Sequence, residues 1–295
     1  MLDLIEAEPH KKKIQLRGVL LILGIIVVLV CIFVVPKLIN TPNEETPEIV
    51  AKIPEEKMVI KKYVPEYTQE AKERLSNIYK SETKKAYLTF DDGPSYNVTP
   101  LILDVLKEND IKATFFVLGN RADQNPNTLK RVYEEGHYIA NHGYSHVYSK
   151  IYETPEKVID EYWQCEYAIR TAIQDEEYQS HLFRFPGGLK GGKYEDIKMQ
   201  GNELLDSISV GSVDWNALTE DSAGKKTKEG LIQSLIDTIQ GKNSAVILMH
   251  DASDKILTYE TLQEIIDYLK NEGYEFCSFH DIMDQKEIAY EQEQI

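Results

Sequence analysis

The sequence predicts an α/β fold in which helices cover a parallel sheet. From residue 82 onward, apolar strand-like runs alternate with amphipathic stretches of helical period, which is typical of parallel sheets. The strand-like runs are residues 86–90, 112–118, 138–141, 182–185, 207–212, 245–249 and 274–278. The helical stretches are residues 99–108, 128–135, 155–173, 228–240 and 259–270. The sheet is either open or closed into a barrel, and because about 200 residues are few for a full eight-fold barrel, a closed form would be small or distorted.

The amino-terminal residues predict a membrane anchor. Residues 18–35 form an apolar run without charge, about long enough to cross a bilayer. Basic residues at positions 11–13 and Arg17 precede the run, whereas only Lys37 follows it closely. The positive-inside rule then places residues 1–17 in the cytoplasm and the rest of the chain outside. A cleaved signal peptide is the competing interpretation, but no small-x-small cleavage site follows the run. We therefore expect an uncleaved single-pass helix in the cell membrane.

The segments around the α/β region predict a stalk, a short helix and a tail. Residues 36–64 are rich in Pro and Glu and lack a hydrophobic period, which is typical of an extended stalk. Residues 65–81 carry apolar side chains at helical spacing and predict a helical lead-in. The main domain is expected at 82–285, and a polar tail that frays at 286–295.

Charge and cysteine content exclude two classes of protein. The net charge is −16 and the sequence pI is about 4.9, which excludes nucleic acid as a partner because phosphate recognition needs a basic surface. The cysteines, Cys31, Cys165 and Cys277, are far apart in the sequence. They predict neither a disulfide framework nor a cysteine-rich zinc site. A Cys165–Cys277 bridge remains an alternative to two buried thiols.

The first predicted strand ends in two adjacent acids. Residues 86–95 are Ala-Tyr-Leu-Thr-Phe-Asp-Asp-Gly-Pro-Ser, so a buried run delivers Asp91 and Asp92 to a loop. Polar residues at the carboxyl ends of parallel strands often carry chemistry. Successive strand residues face opposite sides, so one acid could bind a cation while the other handles a proton. Taken alone, the motif fits a solvated turn slightly better.

Two histidines follow another predicted strand. His142 and His146 are four residues apart, and on a helical turn they would lie on one face and could share a metal. With Asp92 they would supply two nitrogens and one carboxylate oxygen. Such a set leaves a position open for water or substrate, as in catalytic zinc sites. An isolated histidine pair is more often incidental surface, and it is the position at a strand end that favours a site.

Three further strand ends carry polar residues. Arg184 ends a mostly apolar run and needs a carboxylate partner, for which Asp91 is available. Asp214 and Trp215 place an acid beside an aromatic, which is a weak signal of a sugar-binding cleft. His250 ends a strongly apolar run and can act as an acid or a base near neutral pH. Taken alone, Arg184 fits a plain turn with a surface arginine about as well, and Trp215 fits an ordinary core. A structural histidine is the default interpretation of His250 unless other site residues converge on it.

Together the five strand ends resemble the motifs of the polysaccharide deacetylases, carbohydrate esterase family 4. The matching segments, in family order, are Thr-Phe-Asp-Asp-Gly-Pro at 89–94, His-Gly-Tyr-Ser-His at 142–146, Arg-Phe-Pro-Gly-Gly at 184–188, Asp-Trp at 214–215 and Leu-Met-His at 248–250. The resemblance covers about residues 82–285. It implies a distorted (β/α) barrel of about seven strands, here preceded by a transmembrane helix and stalk, and metal-dependent removal of N- or O-acetyl groups from a polysaccharide.

The resemblance also implies roles for the matched polar residues. Asp91 would be the general base, oriented by Arg184. His250 would be the general acid, tuned by Asp214. The metal would be Zn²⁺ or another divalent transition metal such as Co²⁺, Mn²⁺ or Ni²⁺, held by three ligands: Asp92, His142 and His146.

Substrate contacts follow in the same way, and three glycines depart from the commonest family pattern. The Gly187 N–H would help to stabilise the oxyanion, while Trp215 and Leu248 would line the pocket for the acetyl methyl group. Gly187 stands where an aromatic is frequent, which opens the cleft. Gly143 replaces a hydroxyl residue next to the metal, and Gly211 replaces the first acid of a fuller Asp-x-x-Asp-Trp motif.

These expectations describe a membrane-anchored extracellular deacetylase of a Gram-positive-type bacterium. The expected partner is an acetylated polysaccharide, with N-acetylglucosamine of peptidoglycan as the target. N-acetylmuramic acid, chitooligosaccharide and O-acetylated xylan are alternatives within the same class. A non-catalytic wall-binding protein on the same barrel is the alternative from another class, and such a protein is expected to have lost a metal ligand or the base.

Overall fold

The computed structural model describes residues 58–224 and 227–292. The predicted cytoplasmic tail, the transmembrane helix at 18–35 and the stalk before residue 58 lie outside these residues. In the part of the chain that is described, no helix combines the length and the apolar character needed to cross a bilayer.

Ten strands and a set of helices alternate along the described chain. The strands are β1 (Met58–Glu66), β2 (Lys85–Asp91), β3 (Thr114–Val117), β4 (Tyr138–Asn141), β5 (Leu182–Phe183), β6 (Gly211–Ser212), β7 (Ala217–Leu218), β8 (Ser244–His250), β9 (Glu275–Cys277) and β10 (Asp284–Gln292). The helices are α1 (Gln69–Ser76), α2 (Thr99–Glu108), α3 (Gly119–Gln124), α4 (Pro126–Glu134), α5 (Tyr148–Ile151), α6 (Pro155–Ile173), α7 (Glu195–Ser207), α8 (Lys228–Ile239) and α9 (Ile256–Asn271), with a 3₁₀ turn at Phe279–Asp281.

The main sheet is parallel and follows the order β6-β5-β4-β3-β2-β8-β7, with β9 pairing to the start of β2. No ladder joins β6 to β7 among the described strands. The seven-strand path is therefore an open, distorted barrel with helices outside it. This confirms the predicted α/β class and the distorted (β/α) barrel of about seven strands.

Side-chain alternation divides each long strand between two layers. On β2, one set packs with the apolar faces of the surrounding helices: Ala86, Leu88 and Phe90. The alternate side chains face the barrel interior, where Tyr87 packs with Phe116 and with Val246 of β8. Asp91 continues this inner set on β2, and His250 continues it on β8. The ladder aligns Asp91 with His250, so the two are carried to the same place at the carboxyl ends of the strands.

Helix α1 fills the opposite end of the barrel interior. Ala71 and Leu75 are buried and pack with Tyr87, Phe116 and other inner residues that precede the site on the same strands. This helix, Gln69–Ser76, lies within the range predicted for the helical lead-in, 65–81. Gly211 of β6 lies under this helix, and a Cβ there would be 2.4 Å from the Leu75 Cδ2. An acid at position 211 would have no room, so this departure from the family pattern serves packing.

Two edge segments differ from the prediction. Residues 58–64 of the predicted stalk belong to β1, and residues 286–292 of the predicted tail belong to β10. The two strands pair antiparallel along their whole length, from Met58 opposite Gln292 to Glu66 opposite Asp284. Because each is recognisable only through its partner far away in the sequence, local patterning could not find it.

The two cysteines of the described part are free thiols. Cys165 lies on α6 and Cys277 on β9, and both are buried. The alternative of a bridge between them is therefore wrong, and the expectation of two buried thiols is confirmed.

Candidate functional site

A buried ion pair lies at the centre of the site. The Arg184 guanidinium donates from Nη1 to the Asp91 Oδ1 at 2.8 Å and also to the Thr89 Oγ1 at 2.8 Å. Arg184 is fully buried, and its Cζ lies 3.8 Å from the centre of the Phe116 ring. Burial raises the pKa of Asp91, and the neighbouring Arg184 opposes that rise. The predicted Arg184–Asp91 contact is present, and it fixes one oxygen of the carboxylate while leaving the other free of the guanidinium.

Three side chains at the mouth of the barrel could hold a metal ion. Asp92, His142 and His146 bring one ligand atom each within 4.8 Å of the others. The Asp92 Oδ1 lies 3.6 Å from the His142 Nε2 and 3.3 Å from the His146 Nε2. The predicted ligands are therefore together. The second oxygen of Asp91, Oδ2, lies 3.8 Å from the His142 Nε2, so the predicted base borders the same space.

The backbone that presents these ligands differs from the predicted helical turn. Residues 142–147 form an irregular loop, with His146 at φ 54° and Gly143 at φ 82°. Asp92 is also at positive φ, 73°. Left-handed backbone is unfavourable for residues with a Cβ and is concentrated at functional sites. The loop, and not a helical face, therefore brings the two imidazoles together.

Hydrogen bonding prepares His142 as a ligand. Its Nδ1 lies 2.7 Å from the Arg184 carbonyl oxygen, which can only accept, so Nδ1 carries the hydrogen and Nε2 keeps its lone pair. Burial lowers the pKa of His142 to about 3, against the opposing charge of Asp92. The imidazole is thus neutral, with its free nitrogen directed at the Asp92 Oδ1.

Glu161 of α6 supports residues 142–147, here called the metal loop because they carry two of the three candidate ligands. The prediction missed this residue. Its Oε2 accepts from the backbone N–H groups of Tyr144 and Ser145, both at 2.7 Å, and its Oε1 accepts from the Ser145 hydroxyl at 2.7 Å. A Gly143 Cβ would lie 3.5 Å from this carboxylate. The available signal was an acid on the apolar face of an amphipathic helix, since Glu161 lies between the buried Val158 and Cys165.

The partner of His250 is Asp221, which corrects the prediction for Asp214. The His250 Nδ1 lies 2.8 Å from the Asp221 Oδ1, and the His250 backbone N–H donates to the Asp221 Oδ2 at 2.7 Å. Thr258 donates a further hydrogen bond to Asp221. Burial lowers the pKa of His250, but the hydrogen bond and charge of Asp221, together with the nearby acids, outweigh it and raise that pKa to about 9.

Asp214 stabilises a loop instead. Both of its carboxylate oxygens accept from the Leu189 N–H, at 3.0 and 3.2 Å, and its carbonyl oxygen accepts from Arg184 at 3.2 Å. The tuning role of Asp214 is an expectation from the family resemblance, in which Asp214 and Trp215 match the fourth motif. Asp221 lies seven residues after Asp214. The strand before it, Ala217–Leu218, is too short to be recognised as an apolar run, so the sequence around Asp221 does not mark it as a site residue.

The predicted substrate-binding residues lie around this centre. Leu248 lies two residues before His250 on β8, so the two side chains point to the same side of the strand, and Leu248 is buried. The Trp215 ring lies 5.8 Å from the Arg184 Cζ and packs on the inner cluster. Gly187 has φ 77°, and a Cβ there would be 2.6 Å from the Tyr148 hydroxyl. Tyr148 therefore occupies the space that a side chain at position 187 would need.

Tyr148 is a second residue that the prediction missed. Its ring centre lies 5.6 Å from that of His146 and 5.7 Å from that of Tyr152, and the side chain is 41% exposed. Burial and the charge of Asp92 raise the pKa of its phenol. Tyr148 thus forms a wall of the cleft between a metal-loop histidine and the Gly187 turn.

The arrangement can support acid–base hydrolysis if the three-ligand cluster holds a cation. A carboxylate and a histidine, each with its own charged partner, flank a three-ligand cluster with an open side. General bases and acids that lie within reach of one bound water are the groups that hydrolysis requires.

Comparison with known proteins agrees with this geometry. The sequence model of the polysaccharide deacetylase family matches residues 79–201. A peptidoglycan-N-acetylglucosamine deacetylase of Bacillus cereus is 33% identical over 205 residues, which cover 68% of this chain and 71% of the relative. A peptidoglycan-N-acetylglucosamine deacetylase of Listeria monocytogenes is 31% identical over 243 residues, or 77% of this chain, but the match spans only 44% of the relative.

A solved structure extends the agreement to the fold. The CE4 esterase of Streptococcus mutans superposes with a TM-score of 0.64 at 30% identity, covering 72% of this chain and 92% of that one. The fold, the five strand ends and the sequence matches thus point to one group of proteins. The chain belongs to the polysaccharide deacetylase family.

Proposed function

We propose that the protein is a metal-dependent hydrolase that removes N-acetyl groups from cell-wall polysaccharide, with N-acetylglucosamine of peptidoglycan as the substrate. The names of the Bacillus cereus and Listeria monocytogenes relatives support the substrate. One observation carries the proposal. The Asp92 Oδ1 is buried with no hydrogen-bond partner, yet it lies beside two imidazole nitrogens. A buried carboxylate oxygen without a partner is costly unless a cation completes it.

The donor set suits a divalent transition metal. Two imidazole nitrogens and one carboxylate oxygen are typical of Zn²⁺ sites with an open position, and Co²⁺, Mn²⁺ or Ni²⁺ could take the same ligands. Asp92, His142 and His146 would hold the ion. When bound, it would lower the pKa of water and stabilise negative charge on the acetyl oxygen.

The chain's own residues would move the protons. Asp91, held by Arg184, accepts a proton from the water that attacks the acetyl carbonyl carbon. His250 donates a proton to the leaving nitrogen as the carbon–nitrogen bond breaks, so that acetate and a free amine result. Asp221 holds the His250 Nδ1 hydrogen and thereby leaves Nε2 as the nitrogen that donates.

The remaining predicted residues would bind the substrate. The Gly187 N–H is proposed to donate to the oxyanion, at a turn that the Asp214 carboxylate steadies through Leu189. Leu248 is proposed to contact the acetyl methyl group, and Trp215 to close the wall behind Arg184.

We also propose that the chain is anchored in the cell membrane by a single helix at residues 18–35, with its amino terminus in the cytoplasm and its barrel outside. The charge-free run and the preceding basic residues support this orientation. Protease treatment of intact cells tests it: the barrel should be digested, and a tag placed at the amino terminus should be protected.

The proposed activity is tested by mass analysis of digested cell wall after treatment with the zinc-loaded protein. Glucosamine in place of N-acetylglucosamine, with release of acetate, is the expected result. Deacetylated muramic acid, or acetate released only from chitooligosaccharide or acetyl xylan, would identify that glycan as the substrate instead. Bound metal without acetate release from any of these substrates would contradict the hydrolase, and a metal-free protein that still binds cell wall would favour the non-catalytic alternative.

A further inference from the structure

A small pocket opens beside the candidate metal centre and shares Asp92 with it. It has a volume of about 400 Å³ if its open mouth is included, but only about 130 Å³ is accessible within its walls. Besides Asp92, its lining includes Tyr96, Arg121, Gln124, Asn125 and Ser253. Since one water occupies about 30 Å³ in the liquid, the enclosed space suits a substituent of a few heavy atoms and not a whole sugar ring.

Arg121 gives the pocket an unpaired positive charge. Its Nη1 donates to the Gln124 Oε1 at 2.9 Å, and among the described residues no carboxylate oxygen lies within salt-bridge distance of its guanidinium. The chain as a whole has a net charge of −16. An arginine left without an acid in so acidic a protein is available for an external carboxylate, which its planar group binds through paired hydrogen bonds.

The pocket walls are tied to one another by hydrogen bonds. The Asn125 side chain donates to the Pro94 carbonyl at 3.0 Å, and the Asn97 side chain donates to the Ser253 carbonyl at 2.9 Å. The Leu118 N–H donates to the Gly93 carbonyl at 2.9 Å. Three loops that follow β2, β3 and β8 are thereby held together, so the pocket exists before any ligand arrives.

Tyr96 extends the surface outward from the pocket. Its side chain is 75% exposed, on the loop that directly follows the Asp91–Asp92 pair. An aromatic ring with one open side can carry the apolar face of a sugar. The arrangement therefore offers a platform for a ring at Tyr96 and a cation for an acidic substituent at Arg121.

We propose that this pocket, the Arg121 pocket, binds a carboxylate carried by the sugar next to the one that is deacetylated, while Tyr96 contacts that sugar's ring. The proposal rests on the proposed function and specifies its substrate as a glycan with acidic substituents. The carboxylate could come from a lactyl ether on the sugar or from a peptide attached to it.

The test compares three substrates with the full-length, zinc-loaded protein. Tetra-N-acetylchitotetraose (chitotetraose below) has no carboxylate, a peptide-free glycan strand has lactyl carboxylates, and a peptide-bearing strand has peptide carboxylates. For Arg121→Gln we expect KM to rise about tenfold on an acidic strand, with Arg121→Lys recovering part of the loss. KM on chitotetraose should stay within about twofold of wild type. Whichever acidic strand shows the loss identifies the source of the carboxylate.

Lys107→Gln is the matched control, because it removes the same charge from an exposed position on α2 outside the pocket. Tyr96→Ala should raise KM on all three substrates. An Arg121→Gln effect that is equal on acidic and neutral glycans, or absent on both, would overturn the proposal.

Equilibrium binding separates this inference from the proposed activity. Asp91→Asn protein, which is expected to bind substrate without turning it over, is titrated with the acidic strands with and without Arg121→Gln. Weaker binding of the double variant supports the pocket even if no substrate is hydrolysed by wild type. Equal binding by both proteins overturns the pocket, whatever the activity of wild type.

Discussion

Asp221 and His250 form a charged pair at the rim of the barrel, with 2.8 Å between the Asp221 Oδ1 and the His250 Nδ1. A second oxygen of the same carboxylate accepts from the His250 backbone N–H. The carboxylate therefore fixes both the orientation of the imidazole and the position of its hydrogen. The pKa of Asp221 is lowered. Burial alone would raise it, but the hydrogen bonds that Asp221 accepts from His250 and Thr258, together with the charge of His250, outweigh burial.

The first prediction concerns the pH dependence of turnover. The pKa of His250 is raised to about 9, and a general acid works only while protonated, so activity should fall as pH rises through that pKa. Asp221→Asn removes the main raising cause, and the falling limb of kcat/KM should move to lower pH by about one unit. Asp214→Asn should leave the limb in place. A shift with Asp214→Asn and none with Asp221→Asn would contradict the assignment.

The second prediction separates the two adjacent acids. Asp92→Ala removes a ligand, so the purified protein should contain little metal. Asp91→Asn keeps the three ligands and should bind metal like wild type while turnover falls about 10²- to 10⁴-fold. Metal content per chain and acetate release measure the two effects. Loss of metal in Asp91→Asn would show that the roles are reversed.

The third prediction concerns the support of the metal loop. Glu161→Gln weakens the acceptor of two backbone N–H groups between the histidines, and we expect metal affinity to fall about tenfold. Competition with a chelator measures the affinity. Glu156→Gln, on an exposed face of the same helix, is the control and should bind metal normally. Unchanged affinity in Glu161→Gln would mean that the loop holds its shape without this carboxylate.

The fourth prediction concerns the turn next to Tyr148. Gly187→Ala places a side chain at φ 77° and against the Tyr148 hydroxyl. Gly191→Ala has a similar φ of 79° with nothing within 4 Å, so it carries the backbone cost alone, about 1 kcal/mol or more of unfolding free energy. We expect both variants to be destabilised, but only Gly187→Ala to raise KM, because it displaces Tyr148. Equal KM values in the two variants would contradict the placement of Tyr148 in the wall of the cleft.

Much of the fold was readable from local pattern. Helices at 99–108 and 155–173 and the strand at 138–141 have the predicted bounds, because each has a clear period and a clear end. The predicted strand at 207–212 shrinks to Gly211–Ser212, since Glu195–Ser207 is a helix. That helix has few apolar residues and an internal glycine, Gly201, whose absent side chain leaves room for Val158.

Some residues of the candidate site could likewise be predicted from local pattern, and others could not. Asp91, Asp92, Arg184 and His250 could be found because each follows an apolar strand, and strand ends meet at one edge of a parallel sheet. Asp221, Glu161 and Tyr148 come from a loop or a helix. Their neighbours in space are distant in sequence, so the local pattern does not distinguish Asp221 or Tyr148 from ordinary polar surface, and it marks Glu161 only as an acid on the apolar face of a helix.

The β1–β10 ribbon is the first part of the described structure that a pull on the chain before Met58 would reach. Met58 and Gln292 form its outermost pair, and Glu66 and Asp284 the pair nearest the barrel. A pull on the chain before Met58 therefore separates the pairs one after another from the outer end, and each step breaks few bonds. A lone two-stranded ribbon is weak compared with a packed sheet. The ribbon would extend under tension while the barrel and its site stay folded, and under the proposed membrane anchor this would give the protein extra reach toward its substrate.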